Sequence, residues 1–346
     1  MPDQDAARKP ARKTLSRLWL FGPYVALLVA MIGWSLFWVW ARAEVAGRMD
    51  AAAERARLAG LTLDWSGRKI GGYPFRVEVT LDGLRLGEPS GWALTAPEVK
   101  AETYAYELGH WVGYAPRGVV LTRPVSGPVA ITGPALRASM VWTGEAVPRI
   151  AVEGLKLTFA PQPDAQPFLL RTAEHLDFHL HDAGDDKAEF LLRIDQATAP
   201  AGAILALIAQ GKPMDIAWEG QLSNVSALHG HDWPTAAQAW TGAGGGLDVE
   251  HGLLTAGPTS LNLKPGRLTI GYDGRLRGTL GLDLRQAPNL IQALAQARTI
   301  DPSAADSALT VANARAAGPV TQADLTFLAG ATAFGPVAIG PSPKVY

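Results

Sequence analysis

The residues best suited to metal chemistry lie at positions 175–181, where histidine and aspartate alternate with leucine and phenylalanine. Successive side chains of a β-strand point to opposite faces, so the polar residues of this stretch would share one face. They are His175, Asp177, His179 and His181. Imidazole and carboxylate groups are ligands for zinc and similar metals. Side chains two residues apart on one strand lie about 7 Å apart, so a second strand would have to complete the site.

The same alternation is also typical of a strand with one solvated polar face and one buried apolar face. Both interpretations stay open for these four residues. His229 and His231 are candidate ligands from a second segment, or members of a polar loop that precedes a helix. The chain has no cysteine, which excludes disulfides and thiolate metal sites.

The sequence carries no G-x-S-x-G, H-E-x-x-H or P-loop motif. The glycine-rich segment at 242–246 departs from the dinucleotide-binding pattern, because Leu247 stands where the final glycine belongs. We therefore expect no enzyme and no cofactor. An enzyme with a dispersed His/Asp site stays an alternative, since such a site leaves no local trace in a sequence.

A second unusual stretch concentrates glycine, proline and aromatic residues ahead of an alternating run at 75–82. Its members are Trp65, Gly71, Gly72, Tyr73, Pro74, Phe75 and Arg76. Glycines can cradle phosphate before a helix, but the alternation predicts a strand here instead. Glycine permits unusual backbone angles, and proline is tolerated at the start of a strand. We interpret the stretch as a structural junction, with Tyr73 packed beside Trp65 over a preceding helix.

The element that must position this junction is an uncharged apolar run of 23 residues at 18–40. About 20 residues of helix cross the hydrocarbon core of a membrane. Five basic residues lie before the run and four follow it within 41–60, a balance that favours a cytoplasmic N-terminus. We predict a retained signal anchor with an exported C-terminal domain. A signal peptide cleaved after Ala43 is the alternative.

Composition and periodicity predict a mainly β fold with minor α content. The 346 residues suffice for a large core, and a net charge of −1 gives no indication of a nucleic-acid partner. Apolar residues recur with a period of two over most of the chain, which predicts a long curved antiparallel sheet with a few covering helices, preceded by an N-terminal transmembrane helix. The second β-rich half either continues the first or stands apart. The predicted segments are a basic cytoplasmic N-terminus at 1–17, the anchor at 18–40, a stalk helix at 41–60, a first β-rich half at 61–240 and a second at 241–346.

Two resemblances concern these segments. Trp65 and the Gly-Gly-Tyr-Pro-Phe-Arg stretch at 71–76, together with the tail at 334–341, resemble an uncharacterised envelope family of Gram-negative bacteria, DUF2125. The second half is weakly similar to the AsmA-like periplasmic proteins, through Gly-Leu-Leu at 252–254, Leu-Asn-Leu at 261–263 and the glycine-containing run at 274–284. The second resemblance implies an anchored protein with a long curved sheet that handles lipid. Neither family supplies catalytic residues.

These observations lead to one expected function and two alternatives. We expect a single-pass protein of the bacterial inner membrane, with its C-terminal domain in the periplasm, that binds or helps to transfer an apolar ligand such as lipid in envelope biogenesis. The expected partners are the inner membrane, through the N-terminal helix, and lipid. The alternatives are a periplasmic scaffold that binds no ligand and the enzyme with a dispersed site.

Overall fold

The structure, a computed structural model, describes residues 18–142, 144, 147–318 and 320–346. Its first element is the 41-residue helix α1 (Leu18–Leu58), which contains Pro23. The anchor and stalk segments therefore lie in one uninterrupted helix. Within it, Phe21–Leu58 is long and apolar enough to cross a membrane, and most of its apolar stretch is exposed. The remaining described helices are α2 (Ile204–Ala209), α3 (Trp233–Gly242), α4 (Ala287–Gln296) and α5 (Pro302–Ala314).

The described strands form one antiparallel sheet, which confirms the predicted mainly β fold. Alternating apolar and polar residues favour such strands because one face can be buried while the other stays solvated. The strands of the first half are β1 (Thr62–Asp64), β2 (Gly67–Gly71), β3 (Arg76–Gly87), β4 (Ala93–Tyr104), β5 (Glu107–Tyr114), β6 (Val119–Arg123), β7 (Gly127–Thr132), β8 (Ala135–Val141), β9 (Arg149–Pro161), β10 (Thr172–Gly184), β11 (Lys187–Ala197) and β12 (Met214–Ser223). Those of the second half are β13 (Leu247–Ala256), β14 (Thr259–Leu263), β15 (Gly266–Ile270), β16 (Leu276–Arg285), β17 (Ala316–Ala317), β18 (Val320–Leu328), β19 (Ala331–Phe334) and β20 (Val337–Pro341).

Neighbouring strands follow the chain order with few exceptions. At several places two short strands lie end to end and together occupy the place of one long strand. β1 and β2 do so next to β3, as do β5 and β6, β7 and β8, and β14 and β15 further along the sheet. The ladder continues across the predicted division at residue 240, because β12 pairs with β13. β19 and β20 are the last strands of the ladder.

The sheet is strongly curved. The backbone N–H of Trp233 donates a hydrogen bond of 2.7 Å to the Glu88 carboxylate. In a flat sheet these residues would lie far apart, since Glu88 follows the end of β3 and Trp233 lies beyond the opposite end of β12. Neighbouring strands rotate by roughly 20–25°, so the seven steps from β3 to β12 accumulate about half a turn. This twist, together with bending of the sheet across its strands, brings Glu88 and Trp233 together.

The helices cover the apolar face of the sheet only in parts. Residues of α1 such as Ala41 and Val45 pack against Val77 and Val79 of β3. Further along, α2 and α4 close a core around Met214, and α4 and α5 close another over β16 and β18. Helix α3 packs with the C-terminal residues beside β15. Between α1 and these cores the face is less covered.

Candidate functional site

The turn at residues 71–76 lies against α1 rather than in solvent. Three hydrogen bonds join it to one face of the helix. They connect Trp34 Nε1 to the Pro74 carbonyl (2.8 Å), Trp38 Nε1 to the Arg76 carbonyl (2.8 Å), and the Ser35 hydroxyl to the Tyr73 hydroxyl (2.9 Å). We call this contact, formed by residues 34–38 and 71–76, the clasp. It fixes the start of the sheet at one height on the helix.

Aromatic packing reinforces the clasp. The Tyr73 ring meets Trp38 edge-on at 5.5 Å, and the Phe75 ring lies 6.0 Å from Trp34. Tyr73 thus packs over the preceding helix as expected, but its ring partner is Trp38 and not the predicted Trp65.

Trp65 holds the helix in another way. The Arg68 guanidinium lies over the Trp65 ring at 5.5 Å and forms a 2.7 Å ion pair with Asp50 of α1. The side chain of Trp65 therefore supports a second contact between the sheet and α1, about three turns beyond the clasp along the helix.

The two glycines of the turn differ in what they require. Gly72 has a φ of +96°, and a Cβ at this position would lie 2.7 Å from the Arg76 carbonyl oxygen. Only glycine fits such a backbone without strain. A Cβ on Gly71 would meet open space. The clasp therefore depends on Gly72, and Gly71 is free to vary.

An unbroken row of apolar residues crosses the sheet away from the clasp. Directly opposed residues of antiparallel strands point to the same face, so the strand registers identify which side chains share it. From β2 to β18 the row consists of Ile70, Val79, Ala101, Gly113, Ala138, Val152, Phe178, Leu192, Trp218, Gly252, Leu263, Leu282 and Ala323. Every member is apolar or glycine.

A parallel row two residues along the strands is also apolar. It consists of Trp111, Met140, Ile150, Leu180, Phe190, Gly220, Val249 and Gly266. We call the two rows together the apolar track. One face of the sheet is therefore apolar from the helix α1 to the second half of the chain.

The track begins in a cleft of about 320 Å³ between α1 and the sheet. Apolar side chains from both elements line it, among them Val45 and Met49 of α1 and Leu81, Trp111 and Met140 of the sheet. Arg48 is the only charged residue of the lining. Pockets that bind apolar molecules have this composition, with few polar groups to fix orientation.

Beyond the cleft the track is incompletely covered. Ile150, Val152, Phe178, Leu180 and Phe190 are half-buried and lie outside the hydrophobic clusters that the helices close. Met140, nearer the cleft, is 44% exposed. Apolar side chains that form a continuous and partly exposed surface mark binding sites in folded proteins. This middle part of the track is the open segment of the site.

Trp218 ends the open segment. Its ring meets Phe190 edge-on at 5.6 Å, and beyond it Leu263 and Val249 belong to a closed cluster. The indole Nε1 of Trp218 is buried without a hydrogen-bond partner among the described residues. An unpaired buried donor costs free energy, so this position favours an indole for its apolar surface rather than for its polar atom.

The four residues of the metal hypothesis lie on the opposite, polar face. His175 Nε2 lies 3.4 Å from the Asp177 carboxylate and 3.8 Å from that of Glu153, while His181 lies 3.5 Å from Glu189. Asp177 and His179 contribute to a polar hollow of about 310 Å³. Within the described parts of the chain, no group of three or more His, Asp or Glu side chains has the arrangement of a metal site. The metal site stays a prediction.

The polar face carries a row of charged residues in which two acidic residues, directly opposed to each other, lie between two basic ones. Arg137, Glu153, Asp177 and Arg193 are opposed on neighbouring strands, and Arg137 forms a direct ion pair with Glu153. Opposite charges across antiparallel strands stabilise a solvated sheet face modestly. Such charged residues are typical of a sheet face that is exposed to solvent. His231 does not belong to this face, because it lies in the loop before α3.

Sequence reasoning identified the junction and the alternating strands but missed the apolar track. The alternation within each strand is visible in the sequence. Trp111 and Met140 could not be predicted to lie together, because nothing in the sequence aligns one strand with the next. The relevant signal is the strand register, which depends on hairpin lengths and bulges.

A family described as "Uncharacterized protein conserved in bacteria (DUF2125)" matches residues 38–343. The match begins at Trp38 of the clasp and includes the whole sheet. No curated protein and no solved structure matches the chain.

Proposed function

We propose that this chain, which belongs to the DUF2125 family of bacteria, is a non-catalytic membrane-anchored protein that binds the acyl chains of a lipid along its apolar track. In this proposal α1 crosses the inner membrane and the sheet lies in the periplasm. The excess of basic residues before the apolar run, five against four, favours that orientation.

The observation that carries the proposal is the continuity of the track with the membrane helix. The cleft between Val45 and Trp111 contains side chains of both α1 and the sheet, and the open segment follows it without an intervening polar residue in either row. A lipid tail that leaves a bilayer beside α1 would meet apolar surface first and throughout.

The size of the track suits an acyl chain. From β3 to β12 the track crosses seven inter-strand steps of about 4.8 Å, or roughly 34 Å in all. Removing a methylene group from water contributes about 0.8 kcal/mol. Ten covered methylenes would thus contribute roughly 8 kcal/mol before the cost of ordering the lipid.

The test compares the two faces of one strand. Phe178→Gln and Leu180→Gln place amides in the open segment, and the matched controls His179→Gln and Asp177→Asn change the polar face. Full-length protein is delipidated in detergent and mixed with liposomes that contain a fluorescent-chain phospholipid. We expect uptake by the wild type and both controls, and a clear loss of uptake in the two track variants.

The outcomes separate the lipid proposal from its rivals. Wild-type protein that takes up no phospholipid would overturn lipid binding and favour the scaffold. Uptake that falls with the control variants but not with the track variants would assign the lipid to the polar face and would equally overturn the proposal.

A further inference from the structure

We propose that the turns next to the clasp form a second membrane contact: an aromatic rim that lies among the lipid headgroups of the leaflet from which α1 emerges. The rim consists of Tyr73, Phe75, Tyr104, Tyr106 and Trp142. The inference rests on the proposed membrane crossing of α1 and adds a partner surface on the sheet itself.

The first argument for the rim is the position of the clasp along the axis of α1. A helix rises about 1.5 Å per residue, so Trp38 lies roughly 30 Å along the axis from Leu18. The hydrocarbon core of a bilayer has about the same thickness. The first charged residue after Leu18 is Arg42. With the apolar run in the membrane, the clasp lies at the level where hydrocarbon gives way to headgroups.

The second step is the grouping of exposed aromatic residues. Of the nine exposed aromatic side chains found outside α1 among the described residues, five belong to the rim. Phe75 and Tyr106 are each 62% exposed, and Trp142 is 57% exposed. Tyrosine and tryptophan are the residues that favour the membrane interface, because one end of each side chain is apolar and the other is polar.

The rim residues form one connected edge. The backbone N–H of Ala105 donates to the Phe75 carbonyl at 3.0 Å, which joins the β2–β3 turn to the β4–β5 turn. The N–H of Trp142 donates to the Gly109 carbonyl at 2.9 Å, which joins the end of β8 to β5. The two turns and the end of β8 therefore approach a surface together and not singly.

The charge nearest the rim is mixed: Glu107 is exposed in the β4–β5 turn, and a compensated ion pair lies beside Tyr104. Arg76 lies next to the Tyr104 ring at 5.9 Å and forms a 2.8 Å ion pair with Glu102. The hydrogen bond with Glu102 raises the pKa of Arg76, so the guanidinium stays charged beside this carboxylate. By contrast, the β10–β11 turn carries Asp185 and Asp186 and is unsuited to an anionic membrane surface.

The rim adjoins the start of the track. Trp142 follows Met140 by two residues on the same edge, and Met140 lines the cleft together with Leu108. A lipid chain would pass from the leaflet into the cleft behind the rim without crossing open water. The rim thus gives the proposed lipid site its entrance.

The absence of cysteine makes a site-specific test direct. Single-cysteine variants Tyr106→Cys and Trp142→Cys of the full-length chain carry an environment-sensitive fluorophore, and the protein is placed in phosphatidylcholine and phosphatidylglycerol vesicles. A fraction of the lipids bears nitroxide quenchers on the headgroup. Val125→Cys is the matched control, because Val125 is 87% exposed at the opposite end of the strands. Leu28→Cys in α1 reports the membrane crossing itself.

We expect strong quenching at Tyr106 and Trp142 and none at Val125. Deep-chain nitroxides should quench Leu28. Quenching at Leu28 with unquenched labels at Tyr106 and Trp142 would overturn the rim and leave the anchor intact. An unquenched Leu28 label would overturn the anchor, and the rim with it. Rim labels that are shielded from water but unquenched by any lipid would indicate a protein partner and likewise overturn the inference.

Discussion

At the scale of single residues, the contact between sheet and helix depends on one backbone conformation. Gly72 turns the chain so that the carbonyls of Pro74 and Arg76 face the indole N–H groups of Trp34 and Trp38. A side chain at position 72 would collide with the backbone of residue 76. The junction function inferred from the sequence therefore has a specific physical basis at this glycine.

Substitution of Gly72 should lower the stability of the protein, whereas substitution of Gly71 should leave it almost unchanged. Gly72→Ala forces a non-glycine residue to a positive φ and is expected to cost about 1–3 kcal/mol of the free energy of unfolding. Gly71→Ala, the matched control, should change it by less than about 0.5 kcal/mol. Urea unfolding of the full-length protein in detergent micelles measures both. Equal effects of the two substitutions would contradict this account of the turn.

The sequence could predict part of this site and not the rest. The glycine pair and the following alternation identify a turn before a strand, since both are local signals. The partner of Tyr73 was predicted wrongly, because Trp65 is close in sequence whereas Trp38 lies on another element. The four polar side chains of 175–181 share one face of β10, as the alternation predicts. The residues that face them on the neighbouring strands could not be predicted, because this segment alone does not determine the strand pairing.

At the scale of elements, α1 serves two environments. Its first part is exposed along its apolar length, whereas Ala41 and Val45 are buried against the sheet. The helix needs no break between its exposed apolar part and the part that packs on the sheet, because the buried residues recur at helical spacing on one side. The sheet is thereby attached to α1 over several turns and not by a flexible linker.

Disruption of this packing should release the stalk. Val45→Asp places a charged carboxylate against the apolar side chains of Val77 and Val79, which is expected to weaken the contact even though Arg48 lies one helical turn away. The matched control Ala43→Asp alters an exposed position of the same helix. Limited trypsin digestion should cleave at Arg55 and Arg57 faster in Val45→Asp than in the control. Identical cleavage rates would show that α1 is not held by this contact.

The start of α3 provides a pH-dependent element. Hydrogen bonds from Thr235, including one of 2.8 Å from its backbone N–H, lower the pKa of Asp232. A carboxyl group with a lowered pKa in the folded state stabilises the protein above its unfolded pKa of about 3.9 and loses this effect as the pH falls. Asparagine caps a helix equally well without titrating.

We therefore expect the melting temperature of the wild type to fall relative to Asp232→Asn as the pH drops below about 4. At neutral pH Asp232 is fully ionised, so the difference there is the reference for the values in the acid range. Thermal unfolding followed by circular dichroism across this range measures the difference. A difference that does not change with pH would show that Asp232 does not cap the helix in solution.

Helices were easier to predict than hairpins. Apolar periodicity and N-terminal prolines predict helices at 287–297 and 302–316, and α4 and α5 match these ranges to within two residues. Alternation likewise predicts one strand at 98–106 and one at 333–339, but the first ends at Tyr104 and turns, and the second is a hairpin. The turn after Tyr104 lacks the usual turn residues, whereas Gly335-Pro336 is a usual turn signal and marks the second turn in the sequence.

At the scale of the whole molecule, strand register creates what no single strand contains. Alternation makes each strand amphipathic, but only the register places Val79, Phe178 and Trp218 in one row. A shift of one residue in β3, β4 or β10 would interrupt the row with polar side chains, since both neighbours of the row residue are polar in these strands. The long antiparallel sheet was predictable from local patterns, whereas the apolar track required the pairing of distant strands.

In the proposed function, lipid lies along the apolar face of the sheet and not along the polar face. Phe178 and His179 are adjacent, and they point to opposite faces of β10, the first between Val152 and Leu192 and the second between Ala151 and Leu191. A photo-crosslinking amino acid at either position therefore samples one face alone.

The most direct measurement is photo-crosslinking of the full-length protein in its own membranes, followed by mass spectrometry of the adducts. We predict lipid adducts at position 178 and none at position 179. Lipid adducts at 179 with none at 178, or no lipid adduct at either position in folded protein, would contradict the claim.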